Sequence, residues 1–319
     1  MQQITSPFAL RALALLAALL AALPARAACP VEPVVDDAAR EHCPAARPER
    51  VVSLLPSLTE SVHALGASAR LVGVDRHSSW PPAVRDLPRL GGLDDPRIEA
   101  IVALEPDLVL VSTSTRGADR LEALGLDVVR LASDTYADVR GSLERLGRLL
   151  DGDARSASGS RAWAGLEGEI ARAAERVPAA LRGARVYFEV GGGPWAAGED
   201  SFIGETLARL GLGNVVPAGL GPFPRLNPEF VLRAAPELVM APAHDVRAML
   251  GRPGWGTLEA LERGDVCAFD PAESELLVRP GPRLGEAAHA VADCLIAIAA
   301  RRAAAASGES GETGGPGRS

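Results

Sequence analysis

Three segments in the first half of this chain recur, in the same order, in the second half. Residues 101–112 (IVALEPDLVLVS) match residues 231–242 (VLRAAPELVMAP), each a helix end followed by Pro, an acid, Leu and Val opening an apolar strand. LEALGLDVVRL, starting at Leu121, is echoed by LEALERGDVCAF at Leu258, and RVVSLL at Arg50 by RVYFEV at Arg185. The offsets are 130, 137 and 135 residues. Each match alone is weak, but three in order at nearly constant offset mean two similar units.

Within each unit, short β-rich runs alternate with helical ones. Strands are predicted at 50–55, 71–74, 108–112 and 128–131, and again at 184–190, 238–241 and 266–269. This alternation implies layered α/β units with largely parallel sheets. Between them, 135–150 and 154–180 carry no strand signal and are rich in Ala, Arg, Glu and Leu, strong helix formers. Val139, Leu143, Leu146 and Leu150 fall three or four apart, on one helix face. The expected fold is therefore two similar three-layer α/β lobes, 50–150 and 183–303, joined by a long backbone helix at 151–182. A ligand cleft lies between them. Residues 28–49 read as a poorly structured lead-in and 304–319 as a disordered tail.

Residues 1–27 are set apart from the fold. Arg11 precedes twelve apolar residues, 12–23, then Pro24 and the small-residue site Ala25-Arg26-Ala27. Twelve residues are too few to span a bilayer, which takes about 20, but suit an export signal cut after Ala27. Losing Arg11 and Arg26 lowers the formal charge of −8 by two, to −10, in an exported, periplasmic protein. In that oxidising compartment, Cys29, Cys43, Cys267 and Cys294 allow three pairings. Proximity in sequence favours Cys29–Cys43 and Cys267–Cys294. Lipidation of Cys29 is the alternative, disfavoured because Arg26 stands where a lipobox usually has Leu. A zinc site would need a CxxC pair or clustered His, and neither is present.

Ligands of parallel α/β units gather at the carboxyl ends of the strands. Only 4% of the residues are Phe, Trp or Tyr, so the positions of the rings are informative. Trp80 lies in His77-Ser-Ser-Trp-Pro-Pro, Trp195 in Gly191-Gly-Gly-Pro-Trp, and Phe223 in Gly221-Pro-Phe-Pro. Rings in such loops supply flat, rigid ligand contacts, although any one could equally plug its own lobe. Their matched places on two lobes favour binding. Arg279, before the last helix, could hold a phosphate, carboxylate or amide oxygen, or be a surface charge. Glu275 could accept from ligand amides, or be a solvated loop acid.

Enzymatic readings find little support. All 33 basic residues are Arg, so P-loop and Schiff-base lysines are absent. The acidic balance argues against nucleic acid. No G-x-S-x-G, HExxH or GxGxxG occurs, and Gly191-Gly-Gly is a poor dinucleotide loop. Ser57-Leu-Thr-Glu60 reads as a capping box opening a helix, and His63 and His289 as helix-face residues. His77 and Glu275 alone do not make a metal site, and no metal or cofactor is expected. An exported α/β hydrolase is the remaining enzymatic alternative.

Taken in series, 50–60 (RVVSLLPSLTE), Leu65-Gly66, 71–75 (LVGVD) and Trp80-Pro-Pro resemble the opening of periplasmic binding proteins for cobalamin and iron chelates. Residues 93–96 (LDDP), 101–109 and 223–232 (FPRLNPEFVL) continue that resemblance, which spans 50 to about 303. Within the family the chain is most similar to cobalamin-binding components of ATP-driven (ABC) importers. The resemblance implies a monomeric receptor for cobalamin or a related corrinoid, with His77, Trp80, Trp195, Phe223, Glu275 and Arg279 at the ligand contacts. It also implies a permease, powered by an ATPase, that is docked through an acid on each lobe: Glu229 in the second and Asp119 in the first. His77 and Phe223 stand where the family implies Tyr and Trp, which keeps haem or a ferric siderophore as the alternative ligand. Cys294 falls on a family cysteine position. The usual partner position holds Leu210, so Cys267 takes that part.

Overall fold

A computed structural model describes residues 29–309; the expected export signal and its cut lie outside the described residues. The first sheet consists of β3 (Val51–Ser53), β4 (Leu71–Val74), β5 (Leu108–Ser112) and β6 (Val128–Leu131), all parallel, in the order β4-β3-β5-β6. The second holds β7 (Arg185–Phe188), β8 (Gly213–Asn214), β9 (Leu238–Pro242) and β10 (Val266–Phe269), also parallel, in the order β8-β7-β9-β10. In both, the first strand of the lobe pairs with its second and third, and the fourth closes the far edge. The internal repeat is therefore a repeat of topology. It extends to the lower loops: Arg50 donates to the carbonyls of Leu104 and Glu105, and Arg185 to those of Ala234 and Ala235. Glu105 and Ala235 both adopt left-handed backbone, φ 44° and 43°.

Alternation along the strands sends side chains to two faces. Val51, Leu108, Leu110, Val129 and Leu131 fill one core of the first lobe, and Val52, Val109, Val111 and Val128 the other. In the second lobe Val186, Phe188, Leu238, Met240 and Phe269 point to one face, and Tyr187, Val239 and Ala241 to the opposite one. All five residues of β5 and of β9 are buried, as expected of parallel strands covered on both sides.

Helices follow the strands: α1 (Pro56–Ala64), α2 (Ile98–Ala103) and α3 (Ala118–Ala123) in the first lobe. The second has α6 (Phe202–Arg209), α7 (Pro228–Ala234), α8 (Ala243–Met249), α9 (Glu259–Glu262) and α10 (Pro271–Leu277), then the long α11 (Leu284–Glu309). Between the lobes run two helices, α4 (Tyr136–Asp151) and α5 (Ser158–Arg176), not the single long one expected. Thr135 and Asp138 form a capping box that opens α4, and Gly152, left-handed at φ 62°, ends it. The crossing itself belongs to α4. Its Tyr136, Val139 and Leu143 join the core of the second lobe, and its Leu146, Leu149 and Leu150 that of the first.

Two further expectations are corrected. The 28–49 lead-in contains an antiparallel hairpin, β1 (Val34–Val35) and β2 (Glu41–His42), closed by the Cys29–Cys43 disulfide. Long-range contacts hold it: Arg145 Nε donates to the Val35 carbonyl, and the Arg130 amide to Asp36. Residues 304–309 of the expected tail continue the last helix, whose alanine run favours helix; residues 310–319 lie outside the described residues. Cys267–Cys294 ties β10 to α11.

Candidate functional site

The carboxyl end of β4 leads into the loop carrying His77 and Trp80. Asp75, 1% exposed, fixes this loop by accepting from the His77 amide at 2.6 Å and from the Ser78 hydroxyl. Burial pushes the Asp75 carboxyl up, more than those hydrogen bonds and the nearby charges of His77 and Arg279 lower it. Arg89 adds a bond of 2.6 Å to the Ser78 carbonyl. Trp80, preceding a cis proline, meets His63 edge-on with ring centroids 4.7 Å apart, and the Arg283 guanidinium lies 4.6 Å from its ring centre. His63 thus backs the Trp80 ring.

Arg279 reaches this loop from the second lobe. Its Nη1 donates to Glu60 at 2.8 Å; its Nη2 donates to the His77 carbonyl at 3.2 Å, Ser79 Oγ at 3.1 Å and Glu275 at 2.7 Å. Ser79 Oγ in turn donates to Glu275 at 3.2 Å. His77, Trp80, Glu275 and Arg279 therefore belong to one contact network spanning both lobes.

Glu60 was missed as a member. Helix α1 is not opened by a capping box: Pro56 starts it, its N-cap Leu55 supplies no side-chain bond, and Ser57 Oγ is buried without a partner. Glu60 is fully buried and faces Arg279, with Arg283 at 3.7 Å. Burial pushes its carboxyl up, more than the two guanidinium groups pull it down. Its partner is 219 residues away, so the S-x-x-E pattern looked purely local.

On the second lobe, the chain leaving β7 turns through Gly191, Gly192 and Gly193, with φ 132°, 64° and 49°. Their positive φ favours glycine, and a Cβ on Gly193 would in addition sit 2.8 Å from the Arg252 guanidinium, which would have to shift. Trp195 bridges to Arg225 and remains 45% exposed. Phe223, half-buried, packs edge-on to Phe202 at 5.6 Å against the core of its own lobe. Beneath the loop, Arg252 makes two bonds of 2.7 Å to the fully buried Glu189, which also accepts from Tyr187.

The remaining expected residues lie elsewhere. Asp119, in the first turn of α3, is paired with Arg130. Glu229, in the first turn of α7, is exposed and lies 3.8 Å from Arg233. A cavity of about 980 Å³ borders the hairpin, away from the cleft, lined in part by Arg40, His42 and Asp127. No group of three or more His, Cys, Asp or Glu able to hold a metal occurs among the described residues.

Known proteins are similar to this chain in sequence and in fold. An ABC transporter substrate-binding lipoprotein of Bacillus subtilis is 26% identical over 273 residues, 82% of this chain and 84% of its own. A vitamin B12-binding protein of Pectobacterium atrosepticum is 27% identical over 198 residues, 60% of this chain and 71% of its own. The structure resembles the periplasmic vitamin B12-binding protein BtuF of Vibrio cholerae (TM-score 0.64, 24% identity, 79% of this chain and 98% of that one). It also resembles the apo periplasmic haem-binding protein RhuT of Roseiflexus (TM-score 0.64, 26% identity, 79% and 99%). The family model for periplasmic binding proteins matches residues 51–273, and the chain belongs to that family.

Proposed function

We propose that this chain is an exported receptor that captures cobalamin or a related corrinoid between its lobes and delivers it to an ABC import permease. It acts as a monomer and carries out no catalysis. The observation that carries the reading is the chemistry of the cleft. Trp80 and Trp195 offer ring surface from opposite lobes, while Arg279 and Arg283 are neutralised by Glu60, Glu275 and Glu286. Such walls suit the broad apolar and amide surface of a corrinoid. An anionic chelate would call for unpaired guanidinium groups. The B12-binding relative supports the same ligand. Haem is the second reading, favoured by the exposed His77, whose imidazole could serve as an iron ligand, and by the haem-binding neighbour. Calorimetric titration with cyanocobalamin and, separately, haemin tests the choice. One-to-one cobalamin binding supports the corrinoid; saturation by haemin alone replaces it.

For docking, Glu229 keeps its part, and its counterpart in the first lobe is Glu99 instead of Asp119. The repeat that sets Ile101 on Val231 sets Glu99 on Glu229, each in the first turn of its helix. Their side chains are 82% and 74% exposed. Replacing both by Arg is expected to leave ligand binding intact and abolish ligand uptake by whole cells. Normal uptake would refute the assignment.

A further inference from the structure

The residues that face each other across the cleft already bind one another. Glu60 belongs to α1 of the first lobe, whereas Arg279 and Arg283 come from the segment between α10 and α11 of the second. Arg279 engages three acceptors on the first lobe: Glu60, the His77 carbonyl and Ser79 Oγ. Arg283 lies over Trp80, also of the first lobe. Gly281, between the two arginines, comes so close to Ser57 that an added Cβ would lie 3.4 Å from its Cβ and its carbonyl oxygen. Glu60 is 1% exposed at its side chain and Arg279 10%, so water screens their attraction little.

The set is also incomplete. Glu60 Oε2 and Ser57 Oγ are buried without partners on the same helix, Ser57 beside Gly281 and Glu60 against the two guanidinium groups. Buried polar atoms are ordinarily satisfied, and leaving them unmade is costly. With Arg283 only 3.7 Å from Glu60 Oε1, the carboxylate has capacity for a second guanidinium bond.

We propose that Glu60, Arg279 and Arg283 form an inter-lobe tie that sets the resting separation of the lobes before any ligand arrives. Arg279 is then a positioning residue committed to the first lobe instead of a free ligand grip. Lobe separation becomes an electrostatic property of one buried carboxylate. Trp195, 45% exposed, is left as the freest ring of the cleft, while Trp80 is shared between the tie, through Arg283, and the ligand.

The tie concerns the cleft of the proposed receptor, but its readout needs no ligand, so failure of cobalamin binding leaves it standing, and its own failure leaves the receptor reading untouched. Spin labels on unnatural residues replacing the exposed Ala123 in α3 and Ala248 in α8 report lobe separation without disturbing the disulfides. In the ligand-free mature protein the expected result is one narrow distance distribution. E60Q and R279Q should each lengthen and broaden it, and the double variant no more than either single one. Because R279Q leaves the buried Glu60 carboxylate with only the more distant Arg283 guanidinium, the double variant, which removes both charges, serves where a single variant does not fold. Circular dichroism and thermal melting check the fold in each case. Folded variants that keep the wild-type distribution overturn the tie, as does a wild-type distribution already as broad as theirs.

Discussion

Two glycines of one helix should respond in opposite ways to the same added methyl group. Gly159 lies where α5 crosses α4: a Cβ built there falls 2.1 Å from the Leu143 carbonyl oxygen and 2.6 Å from Glu144 Cα. Both obstacles are backbone, so the methyl is accommodated only if the helices separate by more than an ångström. Gly165, two turns on, is exposed and has nothing within 4 Å of its Cβ position. Gly165→Ala should therefore stabilise by about 0.5 to 1 kcal/mol, the helix-propensity difference. Gly159→Ala gains the same propensity but must overpack a core, which alone costs about 1 to 3 kcal/mol. The backbone clash puts it at the upper end, and because α4 serves the cores of both lobes, a net loss of roughly 2 kcal/mol is expected. Urea unfolding of the mature protein, with midpoint and slope fitted for each variant, reads both. Gly159→Ala within 0.5 kcal/mol of wild type would refute the close-crossing argument. So would two variants that move in the same direction.

Three other outcomes follow from buried charge and covalent closure. Arg252→Met leaves Glu189 buried with Tyr187 alone and should cost about 3 to 5 kcal/mol; with Glu189→Met added, much of the loss should return, and a single-variant loss below 1 kcal/mol would contradict the pairing. Opening Cys267–Cys294, 27 residues apart, by double substitution with Ser should cost about 3 to 4 kcal/mol by chain entropy, and an unchanged urea midpoint would refute it. The third concerns pH. Burial draws the pKa of His42 down, but the hydrogen bonds and charges of Asp127 and Asp36 outweigh it and hold it above the ordinary value. Burial raises Asp36, yet the amides of Arg130 and Arg40, together with His42, hold it below the ordinary value. The His42 contribution is fully present below its unfolded pKa, near 6.5, and is lost as pH rises through the folded value. That of Asp36 is present above its unfolded pKa, near 4, and is lost as pH falls through the folded one. Hydrogen exchange of the hairpin amides, corrected for intrinsic rates, should show strongest protection between roughly pH 4 and 6.5. His42→Gln should abolish this maximum; if it persists, the reasoning is wrong.

What could be read from the sequence follows from how local each cause is. The strands of both lobes were legible because buried parallel strands are short apolar runs, as at Leu108–Ser112 and Leu238–Pro242. The disulfides were legible because each pair is near in sequence. Strand β8, a Gly and an Asn at a sheet edge, carries no propensity of its own and exists only by pairing with β7. The hairpin was hidden for a similar reason, since its anchors are Arg130 and Arg145. Gly152 ends α4, but in sequence it could not be told from a glycine tolerated within one long helix. At the candidate site, rarity singled out the loop rings, of which Phe223 packs against its own lobe and Trp80 and Trp195 are the proposed ligand contacts, whereas Glu60 could be understood only once the fold had brought Arg279 to it.

The claim that both lobes hold a corrinoid through their loop rings is tested most directly by tryptophan fluorescence. Mature protein, residues 28–319, is titrated with cyanocobalamin, alongside Trp80→Ala and Trp195→Ala variants whose fold is verified by circular dichroism. Saturable one-to-one quenching in the wild type, weakened at least tenfold in both variants, is expected. Quenching that survives both substitutions unchanged, or saturation by haemin with no response to cobalamin, would contradict it.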